Sequence, residues 1–248
     1  MGRVFTLILA CIWLAAAGAL AAERELNASI SRLVTGEYAY RSIKEQRLRG
    51  RESWTLTVHP DGSRSMMSFV DNFDAGVQYN AVERVTASFR PLECFVVHWV
   101  GGQRRASAFY TVNGDLLNYS VITDMGLDAG EIVVPEAFSL QSHPVAYDGW
   151  RGYWYDKSRR GAQSGKNVNL SVAPDSPTPL RGILSDEEAE WIGMEQIAVP
   201  AGTFEAEHYK FRGGADVWIM LPDRIIVRYA YQATDREYVL TAFKSMPK

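Results

Sequence analysis

The chain has 248 residues, 47% of them hydrophobic, and 26 Lys and Arg against 29 Asp and Glu give a formal net charge of −3. This composition excludes a disordered polyelectrolyte, and no basic block stands out on which a nucleic-acid-binding function would rest. Two cysteines in a chain of this length exclude a disulfide-stapled scaffold, so packing must hold the fold together.

Residues 1–22 place one early cation, Arg3, before a long apolar run that ends Ala19-Leu20-Ala21-Ala22. That is the layout of a secretory signal peptide with cleavage after Ala21 or Ala22, and it implies a periplasmic or secreted protein. Two alternatives stand beside it. Val4 to Ala22 is nearly long enough to remain as a membrane anchor. Ile8-Leu9-Ala10-Cys11 has the form of a lipoprotein signal, although the apolar run continues well past Cys11. Cleavage after Ala22 leaves 226 of the 248 residues, enough for a large core, and 25 basic side chains facing 29 acidic ones. Cys94 is then alone. It reads either as a buried, inert thiol or as the site of an intermolecular disulfide.

Glu23 to Leu33 has the spacing of a short amphipathic helix, with Leu26, Ile30 and Leu33 on one face. Beyond it the chain reads as strands and turns. Trp54, Leu56 and Val58 alternate with polar residues, the period of a half-buried strand. Pro60-Asp61-Gly62 then turns the chain into a return strand through Met67 and Phe69. Strands follow over Val77–Val85, Glu93–Val100, Arg104–Val112 and Leu116–Ile122, separated by Arg90-Pro91, Gly101-Gly102 and the hairpin signal Asn113-Gly114. Pro144 to Arg159 is the second helix candidate, with Tyr147, Trp150, Tyr153 and Trp154 on one stripe and Gly149 and Gly152 weakening it. From Asn167 strands resume: Glu190–Val199, Thr203–Phe211, Val217–Leu221, Ile225–Tyr231 and Glu237–Phe243, with a Pro200-Ala201-Gly202 turn. No linker divides the two meanders. The expectation is a mainly β single domain over residues 23–248, a strongly curved antiparallel sheet or partly open barrel with one or two short helices packed on it.

The stretch Gly193 to Phe204, carrying Val199-Pro200-Ala201-Gly202-Thr203-Phe204, followed by the Val217-Trp218-Ile219 strand and a closing Tyr238-Val239-Leu240 strand, resembles a group of uncharacterised bacterial envelope proteins. Those are in turn similar to the lipoprotein-carrier (LolA/LolB-like) superfamily. The resemblance covers about the last fifty residues and rests on a structural turn. It implies a periplasmic protein whose curved sheet encloses an apolar cavity for a hydrophobic ligand, and it carries over no catalytic residue.

Chemistry is sparse. The four histidines form no His-x-His or His-Glu-x-x-His spacing, so no metal site is expected, and no cofactor motif is present. His98 shares a strand face with Cys94, Val96 and Val100 and reads as a core histidine or a ligand contact. His143 and Asp148, five residues apart, are the one candidate acid–base pair; the plainer reading makes Asp148 a cap and His143 a pre-proline loop residue. Trp150, Tyr153, Trp154 and Tyr155 interleave with Arg151, Lys157, Arg159 and Arg160, a pattern suited to a lipid headgroup, an anionic substrate or a membrane face, or to a solvated helix face. Of these, Trp150, Tyr153, Trp154, Arg151 and Lys157, with Trp218 and His98, are the ligand-binding candidates. Three functions remain: a carrier for a hydrophobic small molecule or lipid, an envelope protein–protein interaction module with peripheral membrane contact, and an enzyme on a small hydrophobic or sugar-derived substrate. No activity is expected ahead of binding.

Overall fold

The computed structural model describes residues 31–173 and 175–247. The signal-like residues 1–22 and most of the candidate helix 23–33 lie outside them. The last two residues of that helix, Arg32 and Leu33, instead open the first strand.

Among the described residues, fifteen strands form one sheet. They are β1 (Arg32–Arg41), β2 (Leu48–Val58), β3 (Arg64–Asn72), β4 (Val77–Val85), β5 (Pro91–Val100), β6 (Gln103–Asn113), β7 (Leu116–Thr123), β8 (Gly126–Val133), β9 (Ser139–Gln141), β10 (Gln163–Leu170), β11 (Gly182–Val199), β12 (Gly202–Phe211), β13 (Ala215–Met220), β14 (Ile225–Tyr231) and β15 (Arg236–Pro247). A meander runs from β1 out to β8, and a second runs from β15 back to β9; the two join where β1 pairs with β15. All neighbours are antiparallel except β9 and β10, so short turns suffice almost throughout. Gly62, Gly101, Gly102 and Gly114 hold the positive φ that these turns require. The ends of the sheet are not hydrogen-bonded to each other, but they approach. Tyr110 on β6 donates its hydroxyl to the Leu180 carbonyl at 2.5 Å, and Arg181 faces Asp128 of β8. The fold is an open, strongly curved sheet.

The expected helix over 144–159 is a single turn, α1 (Val145–Asp148), after which the backbone runs on as turns. Gly152 at φ +63° breaks the helical path, and Gly149 sits so close to β14's entry that a Cβ there would lie 1.8 Å from the Arg224 carbonyl oxygen. The sequence pattern also misses the three-residue β9, together with β1, β8, the front of β10 and the first eight residues of β11. Apart from β9, these strands carry charged or glycine-rich alternations that weaken the period-two signal.

The segment 142–155 fills the inside of the sheet. Backbone N–H groups of Val145 and Ala146 donate to the Glu52 carboxylate at 2.9 and 3.0 Å, and Tyr40 and Ser68 hydroxyls complete that group's partners. Tyr147 reaches the carbonyls of Ala81 and Met66, and Trp150 donates to the Asp223 carbonyl at 3.0 Å. Arg224 donates to the carbonyls of Gly149 and Arg151. Arg151 in turn pairs with Glu187 and Asp148. The plug is thus tied to both meanders, and the polar groups named above are paired as burial requires, whereas the Tyr153 hydroxyl and the Trp154 indole N–H have no partner among the described residues.

Candidate ligand-binding groove

On the sheet's outer face, alternation should place polar groups. Across β3 to β6 it places apolar ones. Met67 is paired with Val82, Val82 with Phe95, and Phe95 with Phe109, an unbroken cross-strand row on one face. Met67 is 60% exposed, Phe95 44% and Phe109 47%. Phe69 lies two residues along β3 from Met67, and Ile122 of β7 pairs with the exposed Leu127 of β8. Contiguous exposed apolar surface of this kind marks a binding site more often than chance exposure does.

Met67, Val82 and Phe95 of this row form one wall of a groove of about 610 Å3 that crosses β15, β1, β2, β3, β4 and β5 at mid-strand. That volume falls within the range of small-molecule sites, about 300–1,000 Å3. Met67, Phe69, Val82 and Phe95 supply the apolar side, Thr35, Thr55 and Ser53 a weakly polar side, and Lys244 and Glu37 one cation and one carboxylate of the lining. Gly36 and Trp54 shape the strands beneath. They are cross-strand partners, and a Cβ on Gly36 would meet the Trp54 ring at 2.3 Å, so the indole lies over β1 only because residue 36 has no side chain. Tyr38 stacks on the same indole at 5.9 Å.

None of the residues singled out from the sequence lines this groove. Trp150 is in the core. Arg151 lies over the Phe211 ring at 5.2 Å and is paired inside the plug; Lys157 pairs with Glu207. Trp154 lies against Gly165, and Tyr153 is half-buried near it in sequence. The aromatic–basic segment therefore faces largely inward. Arg151 and Lys157 answer buried carboxylates, while Arg159 and Arg160 are exposed.

His143 and Asp148 have separate partners. The His143 Nε2–H donates to the Leu170 carbonyl at 2.5 Å, while Asp148 accepts from Arg151 and Gln141. Burial lowers the His143 pKa to about 4 and raises that of Asp148 to about 6. His98 is buried and stacks on Tyr79 at 5.0 Å; His143 approaches the other histidine through the same tyrosine ring, at 6.4 Å. Burial also lowers the His98 pKa to about 4. Trp218 stands on the other meander. It stacks on His208 at 4.5 Å and donates to Glu195 at 2.8 Å. His208 is held at both ring nitrogens, by Glu195 and Asp216, each at 2.9 Å. Those carboxylates come from neighbouring strands, not from Glu205 and Glu207 beside it in sequence. Among the described residues no group of three or more His, Cys, Asp and Glu side chains is arranged to hold a metal ion.

The groove residues carried one signal in the sequence. The run Cys94 to Val100 is apolar at adjacent positions, which means that both faces of the strand are apolar. Periodicity alone reads such a run as wholly buried; Phe95 is the outward half of it.

No family model matches the chain, and no curated protein matches it. Among solved structures, a β-barrel-like protein of the domain of unknown function DUF1849 from Brucella abortus is similar at 9% identity, covering 88% of this chain and 98% of that one, with a TM-score of 0.48. A DUF1089 family protein from Pseudomonas aeruginosa is similar at 10% identity over 72% of this chain and 89% of that one, with a TM-score of 0.42. A protein with a YmcC-like fold from Bacteroides fragilis is similar at 13% identity over 88% of this chain and 99% of that one, with a TM-score of 0.29.

Proposed function

We propose that this is a binding protein of the bacterial envelope that carries a hydrophobic, lipid-like molecule on the outer face of its sheet. The observation behind this reading is the 610 Å3 groove with Met67, Phe69, Val82 and Phe95 along one side. Apolar surface removed from water contributes roughly 25 cal/mol per Å2, so an apolar chain laid along this wall would be held chiefly by desolvation. Lys244, beside Thr35 in the β1–β15 register, gives an anionic head group a partner at one side. The plug occupies the inside of the sheet, so the site differs from the internal cavity that the lipoprotein-carrier resemblance implies. The signal-like residues 1–22 support an envelope location.

Native mass spectrometry of the protein taken from its own cells, followed by organic extraction, tests the reading. A co-purifying amphiphile with an acyl or comparable apolar chain is the expected result. A second reading has one observation in its favour: the apolar surface continues past the groove to Phe109, Ile122 and Leu127, as a protein-docking face would. An empty protein that co-purifies with an envelope protein would shift the assignment to that interaction.

A further inference from the structure

A second cleft, of about 280 Å3, opens at the end of the sheet where β1 finishes and β15 begins. It is unlike the outer groove in every respect that matters for recognition. Tyr238 supplies a part-exposed ring beside the buried rings of Tyr40 and Tyr79, and Arg41, Arg49 and Arg236 supply guanidinium groups. The rings are rigidly placed. Tyr40 meets Tyr238 edge-on at 4.5 Å as its cross-strand partner, and Tyr79 is stacked against His98 and His143. His143, also in the lining, is held at φ +83°, a left-handed conformation uncommon outside glycine. Its Nε2–H is committed to the Leu170 carbonyl.

The charges do not cancel. Glu237 is the carboxylate of the lining, and it is already bonded to Arg41 Nε at 2.7 Å and to Arg228 Nε at 3.0 Å. Arg49 donates through Nε to Asp74 at 2.8 Å and through Nη1 to the Asp235 carbonyl at 3.4 Å, which leaves Nη2 available. Among the described residues no ion pair within 4.0 Å engages Arg236, which is exposed. Three guanidinium groups thus face one buried carboxylate in a cleft with tyrosine walls, which is the chemistry that recognises a carboxylate or phosphate on a ring-bearing body.

We propose that this cleft is a second binding site, for a compact ring-bearing organic anion. Arg236 and the free guanidinium N–H groups of Arg41 and Arg49 take the carboxylate or phosphate, and the part-exposed Tyr238 takes the ring. Titration calorimetry with glucuronate, glucose 6-phosphate and inorganic phosphate tests this. At least one of the two ring anions is expected to bind at least tenfold more tightly than inorganic phosphate; which of them binds distinguishes carboxylate from phosphate recognition. Arg236→Gln is expected to weaken that binding about tenfold, the loss of one charge-assisted contact, while Arg104→Gln on the β5–β6 side leaves it unchanged. The proposal is overturned if neither ring anion binds at millimolar concentration, if inorganic phosphate binds as tightly, or if Arg236→Gln binds like the parent protein.

Discussion

Glu52 sits where both halves of the account meet: it is buried on β2 and accepts four hydrogen bonds from α1, Tyr40 and Ser68. Each carboxylate oxygen accepts from one backbone N–H and one hydroxyl, so Glu52→Gln places an amide N–H2 against a backbone N–H of Val145 or Ala146, which cannot accept it. That change is expected to cost about 1–3 kcal/mol in urea unfolding. Burial raises the Glu52 pKa to about 7. A raised carboxyl pKa means that the folded state binds more protons, so this residue's contribution is complete below the ordinary value near 4.5 and is lost as pH rises through 7. His98 and His143, lowered to about 4, contribute in the opposite sense: their share is present above 6.5 and is lost as pH falls through 4. Glu52→Gln should therefore make stability rise more steeply with pH between 4.5 and 6.5 than it does in the parent protein; parallel profiles would contradict the assignment. Cys94 gives a simpler test. It is buried, and burial raises its thiol pKa well above the ordinary value, so it should react with a thiol reagent only on unfolding. Reaction in the native state, or a reducible dimer, would restore the intermolecular reading.

At the level of elements, the hairpins were the readable part of the sequence. Asn113-Gly114 and Gly101-Gly102 stand at turns because their backbone needs positive φ, a local requirement that local sequence declares. The plug was not readable. Its aromatic stripe has helical spacing, yet what decides its path is Gly149 against the Arg224 carbonyl and Gly152 at φ +63°, contacts set by a strand about seventy residues away. Tertiary packing overrode a weak helical pattern there. The pairing of Gly36 with Trp54 is likewise invisible until β1 and β2 are in register. Gly36→Ala is expected to destabilise the protein by about 1–3 kcal/mol, because the indole must move or β1 must bend. The change should also weaken ligand binding, since the strands beneath the groove shift with it. A variant with parent-like stability would mean that the indole has room the packing does not show.

On the scale of the whole molecule, one continuous sheet has two different faces. Its inside is closed by a hydrogen-bonded plug, and its outside carries the apolar row from Met67 to Phe109. Sequence reading found the β class and the curved-sheet architecture because these follow from alternation and turns. None of its binding candidates lines this groove: Trp150, Arg151 and their neighbours look like a recognition surface until the sheet wraps around them. The residues that line the groove belong to ordinary strands, and their faces can be told apart only once the register is known. The most direct measurement is a fluorescence titration of the protein with 1-N-phenylnaphthylamine, an apolar probe, set against Phe95→Glu. Phe95 is outward and exposed, so the variant should fold and melt like the parent. The parent is predicted to bind the probe saturably and the variant to lose at least tenfold in affinity. Equal titration curves for the two proteins would contradict the assignment of the groove as the ligand site.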